Sequence, residues 1–373
     1  VVGLPEIEHG KIDNSPTRFW NIMSPTQHKR PRKFYQGLPK VDLHRHLEGS
    51  VRLNTLLDIG RAHQIDIKGT DKLRPLVQVG ESEPFTFENF LSKFITLREF
   101  FRSPEAISRI TYEAIEDAAV DNVRYLELRF TPVALSKAED FPLAEVMDWV
   151  VEAAKRAERE NGIITRLIAS VNRHESVALA EKVIQLAIDR IDVGIVGVDL
   201  AGAEADFPAA PFIGVFKEAA QAGMQTTIHA GEWGGAANVR EAIEVFGTKR
   251  IGHGVRVMED PSVVAVAREY GVFFEVCITS NYQSGVIPVL KDHPFPKMIS
   301  SGLNAGLHTD DPSICQITLT HEYQVACEKL GFTIPNLVGC ILASANVAFL
   351  PEDERRTLVQ SLESELKILY PID

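Results

Sequence analysis

QTTIHAGEWGGAANVREAIEVFGTKRIGHG, residues 225–254, decides the fold of this chain. Its opening QTTIHAGE (225–232) is β-branched and apolar before turning polar, which reads as a strand ending at its polar tail. NVREAIEVFG (238–247) repeats apolar residues at helical spacing and stops at a glycine, as helices often do. RIGHG (250–254) is a second short strand. A strand, a helix and a strand in so short a span predict a parallel crossover unit.

Working outward, the same alternation recurs. Strands are predicted at VDLHRHL (41–47), VRYLELRFT (123–131), ITRLIASVNR (164–173), IVGVDLAG (195–202), FFEVCITSN (273–281) and GLNAGLHTDD (302–311), making eight with the two above. Helical patterns separate them, among them LAEVMDWVVEAAKRAERE (143–160), SVALAEKVIQLAIDRI (176–191) and PSVVAVAREYG (261–271). Eight strands with crossover helices predict an eight-stranded parallel β/α (TIM) barrel with a helical insertion after strand 1. No linker, repeat or low-complexity tract interrupts the pattern, so residues 1–38 are assigned to an N-terminal arm and 39–373 to one barrel domain.

The insertion contains FTFENFLSKFITLREFF (85–101), in which Phe87, Phe90, Leu91, Phe94, Leu97 and Phe101 recur at helical spacing. Two readings are open: a helix packed into the core, or a hydrophobic cover over a ring-shaped ligand.

At 373 residues and 45% hydrophobic content, the composition is that of a globular protein with a sizeable core. Its 39 basic and 51 acidic side chains give a net charge of -12, which argues against a nucleic-acid or membrane partner and for a small molecule. HKRPRK (28–33) runs against that balance, but in a polar arm where a solvated segment is expected and a docking patch is the alternative. The four cysteines form no CxxC pair, so neither a disulfide scaffold nor a cysteine-held zinc is expected, and a reducing cytoplasmic location is. No apolar run is long enough to span a membrane, and no export signal is evident. Nothing in the sequence sets the oligomeric state.

In such barrels the catalytic groups sit at the C-terminal ends of the strands. Here the first strand ends in His44 and His46, the fifth in His229 and Glu232, the sixth in His253, and the eighth in His308, Asp310 and Asp311. Strand side chains alternate, so His44 and His46 share one face and point into the barrel mouth, while Arg45 points towards the helices. A lone buried histidine is ordinarily a satisfied core residue; ionisable groups at four strand ends argue for a site. His44, His46, His229 and Asp310 suit Zn²⁺ with one position left open. A two-metal site bridged by a lysine carbamate would need a lysine near the fourth strand's end, and GVDLAG (197–202) has none. Metal-free proton transfer would leave Asp310 and Asp311 adjacent and uncompensated.

VDLHRHLEGS (41–50), DLAGAE (199–204), HAGE (229–232), RIGHG (250–254), EVCITSN (275–281) and HTDDP (308–312), in that order, resemble the adenosine deaminase family of the amidohydrolase superfamily. The resemblance runs from residue 39 to about 315. It implies that His44, His46, His229 and Asp310 hold one zinc ion per chain. Glu232 would protonate purine N1, His253 would serve as base and orienter of the water nucleophile, and Asp311 would be its hydrogen-bond partner and a contact to N7. Gly202 would offer its backbone N–H to N3, and His46 and Glu48 would also bind substrate, Glu48 at the ribose 5′-hydroxyl. The implied activity is hydrolytic deamination of adenosine and 2′-deoxyadenosine to inosine and ammonia, in purine salvage; the alternative substrate is adenine or a modified adenine nucleoside or nucleotide.

Four positions depart from the commonest pattern of that family. Glu48 stands where many adenosine-specific members have Asp, and His308 replaces the Asn of NTDDP. His308 is expected to support the metal ligands, with direct ligation as the alternative. Ala203 and Ile278 replace the Asp of LAGDE and the Pro of CPTSN and are expected to repack loops. Cys277, read as part of the seventh strand, is expected to be a buried thiol. Arg173 and His174 follow the third strand, with a loop carboxylate as the expected partner.

Overall fold

The computed structural model describes residues 30–67 and 69–370. Its eight strands are β1 (Lys40–His46), β2 (Val123–Phe130), β3 (Ile164–Asn172), β4 (Ile195–Ala201), β5 (Gln225–Ala230), β6 (Arg250–His253), β7 (Phe273–Val276) and β8 (Asn304–Leu307). They pair in chain order, every pair parallel. Both faces of the strands are covered, one by the interior of the barrel and one by the helices, which is why their sequences read as near-continuous apolar runs.

The ring closes differently between β8 and β1. A single bridge joins Arg45 to Asp310: the Asp310 N–H donates to the His44 carbonyl at 2.7 Å, and the His46 N–H donates to the Asp310 carbonyl at 2.8 Å. Side chains complete the seam. The Leu43 N–H donates to His308 Nδ1 at 3.0 Å, and Thr309 Oγ1 donates to Asp42 Oδ2 at 2.7 Å. His308 thus stands where a backbone carbonyl would be. The helix Ile334–Asn346 packs over this seam, against both β8 and β1.

Two predicted strands are shorter than their sequences suggest. Beyond β7 the chain turns at Cys277 into the helix Ile278–Gln283, although ITS is β-branched and strand-like. Tertiary contacts override that preference: buried Glu322 accepts the Thr279 N–H at 3.1 Å and its hydroxyl, holding the helix's first turn. Cys277 therefore lies just past the strand, and it is buried as expected. β8 stops at Leu307, and the chain then bends so that Asp310 adopts φ +61, in the left-handed region.

The insertion holds the helices Leu53–Ala62, Thr70–Val77, Phe87–Arg98 and Pro104–Val120. Its aromatic stretch is shared between the core and a cavity. Phe90 and Leu97 are buried in the core, while Phe87, Phe90, Leu91 and Phe94 line a cavity at the barrel mouth. Most of the predicted arm, residues 1–29 and with it the start of HKRPRK, lies outside the described residues. Its described end forms the short helix Arg32–Gly37, which buries Tyr35. Among the described residues no helix is long and apolar enough to cross a membrane.

Candidate active site

The donor atoms of His44, His46, His229 and Asp310 lie within 4.8 Å of one another at the C-terminal mouth of the barrel. His44 Nε2 and His46 Nε2 are each 3.3 Å from Asp310 Oδ1. β1 supplies two of these side chains because i and i+2 share a face, and Arg45 between them turns outward to Asp42 and the Ala114 carbonyl.

The barrel interior sets the protonation of the imidazoles. His44 Nδ1 is 2.8 Å from Glu275 Oε2, and His229 Nδ1 is 3.0 Å from Asp199 Oδ1. Burial alone would raise both carboxyls. The Arg250 and Arg129 guanidiniums instead hold Glu275 well below the usual carboxylate range, and His229 and Arg129 do the same for Asp199. An ionised carboxylate only accepts, so each Nδ1 carries a proton, and a neutral ring held this way presents its Nε2 lone pair to a metal ion. His44 Nε2 is fully buried and 3.3 Å from a carboxylate oxygen of Asp310; burial lowers this imidazole, but Asp310 and Glu275 raise it overall, so a cation, proton or metal, is favoured between the two atoms. Two acceptors at 3.3 Å repel unless they share a cation. For ligands about 2.0–2.1 Å from a zinc ion, the edge of the tetrahedron is about 3.3–3.4 Å, which these positions match.

Arg129 connects the two halves of this arrangement. Buried inside the barrel, it bonds Asp199 Oδ2 at 3.2 Å and Glu275 Oε2 at 2.8 Å, so one guanidinium fixes the partners of both imidazoles. Gly252 makes room for the rings: a Cβ there would meet His44 Cε1 at 2.9 Å. Ser280, on the short helix after β7, donates to Asp310 Oδ2 at 2.6 Å.

A second grouping, His253, Cys277 and Asp310, shares one carboxylate with the first. Burial, reinforced by Asp310, pushes the Cys277 thiol well up, so it stays protonated and is a poor ligand.

Around the cluster, a cavity of about 380 Å³ brings together His46, Glu48, Gly202, Glu232, His253, Asp310 and Asp311. Glu232 is held by an unusual cradle: Glu204 accepts the N–H groups of Gly231, Glu232 and Trp233 at 2.7, 3.0 and 2.9 Å. Burial, then the charges of Asp310 and Glu204, push the Glu232 carboxyl well above its usual range. Its Oε2 is 3.7 Å from His253 Nε2. Asp311 Oδ1 is buried without a protein partner; it fits because Gly49 has no Cβ, which would sit 1.8 Å from that oxygen. Gly202 has φ +91, and a Cβ there would press on His174 and the Arg173 backbone. Glu48 Oε1 accepts the Thr131 N–H at 2.7 Å, while Oε2 has no partner.

The departures from the common pattern fall in three places. His308 lies outside the ligand cluster and supports β1 through Leu43. Ile278 is buried at the start of its helix. Ala203 lines the cavity. Among the described residues no carboxylate pairs directly with Arg173: its guanidinium donates to the His229 carbonyl, with Glu204 a charge neighbour, and His174 lines the cavity. Asp199, Glu204, Glu275, Ser280 and Asn281 sit within the quoted motifs yet received no role from the sequence. Their signal is a charged or polar residue inside an apolar run, as with Arg129 in VRYLELRFT.

A strand-end cluster of three imidazoles and a carboxylate in a parallel β/α barrel has the donor set and the position of a hydrolase site that could hold one metal ion. Residues 39–365 match the family model described as adenosine deaminase, and the chain belongs to that family. It is 36% identical to the adenosine deaminase of Serratia proteamaculans over 323 residues, covering 86% of this chain and 97% of that one. An amidohydrolase from Burkholderia ambifaria solved with bound zinc superposes with a TM-score of 0.84 at 27% identity, covering 92% of this chain and 96% of that one. Adenine deaminase from Arthrobacter aurescens superposes at 0.82 with 26% identity, covering 88% and 99%.

Proposed function

We propose that this chain, holding one zinc ion on His44, His46, His229 and Asp310, hydrolytically deaminates adenosine and 2′-deoxyadenosine to the corresponding 6-oxopurine nucleosides and ammonia. The observation that carries this reading is a buried carboxyl, Glu232, whose burial raises its pKa, standing in the same cavity as three imidazoles and a carboxylate whose donor atoms converge. A hydrolase of simple amides needs an acid at its leaving nitrogen, not one aimed at a ring nitrogen as N1 of a purine requires. Zinc, when bound, supplies the Lewis acidity that brings the pKa of water from 15.7 to about 7.

The residues divide the remaining work. Addition of oxygen at C6 pushes electrons onto N1, and the Glu232 proton goes there. Of the two protons of water, one leaves with the amino group as ammonia and one restores Glu232, so atoms and charge balance. Asp311 Oδ1, without a protein partner, is available to the substrate at N7, and Gly202 lies where a backbone N–H can reach N3. Glu48 Oε2, likewise unpartnered, is assigned to the ribose 5′-hydroxyl. The apolar faces of Phe87, Phe90 and Leu91 cover the ring.

The test is ammonia release by zinc-loaded protein offered adenosine, 2′-deoxyadenosine, adenine and AMP in parallel. Adenosine and its deoxy form are expected to be preferred. Preference for adenine or AMP would keep the chemistry and overturn the substrate; release from none of them would sink the reading.

A further inference from the structure

We infer that Asn281 and His293 set the ring tautomer of His253, so that His253 offers the reacting oxygen an N–H and not a base. The inference starts from a donor that has no alternative. The backbone N–H of Phe295 points at His293 Nδ1 at 3.2 Å, so that nitrogen is an acceptor and carries no proton. His293 is buried, and burial lowers it to about 3, so the ring is neutral and its proton is on Nε2.

His293 Nε2 faces Asn281 Oδ1 at 3.4 Å. The reverse orientation of the amide would set an N–H against an N–H. Asn281 therefore turns its NH₂ to the other side, where Nδ2 lies 3.1 Å from His253 Nδ1. An amide nitrogen only donates, so His253 Nδ1 is the acceptor. The neutral His253 ring must then hold its proton on Nε2, the atom that points into the cavity 3.7 Å from both Glu232 Oε2 and Asp310 Oδ2.

The chain of hydrogen bonds runs Phe295, His293, Asn281, His253, and each link fixes the next. His253 itself is locked in place, since its φ of +58 lies in the left-handed region and β6 ends at that residue. Both of its nitrogens are committed, one to accepting from Asn281 and one to a proton already present. Such a ring orients an oxygen nucleophile by donating to it, and cannot take a proton from it without first breaking the Asn281 contact. Proton exchange with the substrate then falls to Glu232. Asn281 and His293 are positioning residues that act through His253.

The tautomer is read directly by nuclear magnetic resonance of the zinc-loaded protein labelled with ¹⁵N at histidine. Long-range ring correlations distinguish a bare from a protonated nitrogen, and the His253 signals are those lost in His253→Gln. A proton on Nε2 with a bare Nδ1 is expected; a proton on Nδ1 overturns the inference, whatever the enzyme's activity. Asn281→Asp supplies an acceptor in place of the donor. It is expected to move the proton to Nδ1 and to lower kcat by about 10²- to 10⁴-fold, the range in which a mis-set histidine tautomer disables a serine protease, with KM changed less than about threefold. An Asn281→Asp protein that keeps the proton on Nε2 and its full kcat also overturns it. Should that variant fail to fold, the wild-type spectrum alone decides. The kcat arm rests on the deaminase reading, and the spectrum does not, so the two can fail separately.

Discussion

The inner and outer ends of the cavity are built to different standards. At the inner end charged groups are tied into one continuous chain: His44 to Glu275, Glu275 to Arg129, Arg129 to Asp199, Asp199 to His229, with His44 Nε2 and Asp311 Oδ1 left open towards the cavity. At the outer end Glu48 Oε2 and Arg98 Nε are buried without partners, and Leu91 and Ile95 are exposed on the helix above them. The contrast teaches that one end fixes the reaction and the other leaves room for substrate choice. A buried charge network tolerates no loose member, because each unpaired group costs its full desolvation. The partly solvated mouth can vary one residue at a time.

The largest effect is expected from Glu232→Gln, which keeps the Glu204 cradle and removes the proton: kcat should fall by about 10²–10⁴-fold with zinc content unchanged, measured as ammonia release against bound metal. Near-full turnover would remove the acid from the inner end. Next, Glu275→Gln or Asp199→Asn should weaken zinc binding by about 10- to 100-fold in competition with a chelator, because the imidazole partners lose their charge. Unchanged affinity would mean that the network is packing alone. Arg98→Met should lower kcat/KM for adenosine by about tenfold and leave zinc affinity untouched. A change in zinc affinity would break the division between the two ends.

The smallest effect concerns pH. Glu322, whose carboxylate holds the helix bearing Ser280 and Asn281, is raised by burial to about 7, against which the Thr279 hydrogen bonds work. A folded pKa above the unfolded one means that the folded state binds more protons between the two values. Its contribution to stability is full below pH 4.5 and is lost as pH rises through about 7. Glu322→Gln should flatten that part of the stability profile in denaturant titrations; an unaltered slope would contradict the assignment.

The barrel and the metal-ligand cluster were legible in the sequence because both rest on local periodicity. Alternation alone puts His44 and His46 on one face, and polar tails mark where the strands meet the mouth. The partners of those residues were not legible. Glu275 is 231 positions from His44, and no local rule pairs them. ITSN looked like strand because its β-branched residues favour one; only the distant Glu322 makes its helical turn favourable. Arg173 follows a strand at the functional face and suggested a carboxylate partner, yet its hydrogen bond goes to a carbonyl on β5 that only the closed barrel brings near.

The seam between β8 and β1 has a consequence for how the protein comes to be active. Its contacts join residues up to 267 positions apart, and two of the three segments that bear the His/Asp cluster meet there. Closing so long a loop costs entropy that nothing repays until the ends touch, so such contacts tend to form late. A folding intermediate with β1 undocked would hold His229 and Asp310 on one side and His44 with His46 on the other, two donors in each place against the four that meet in the closed barrel. The four donors come together only at the final closure of the chain, so a half-made barrel does not offer the complete cluster.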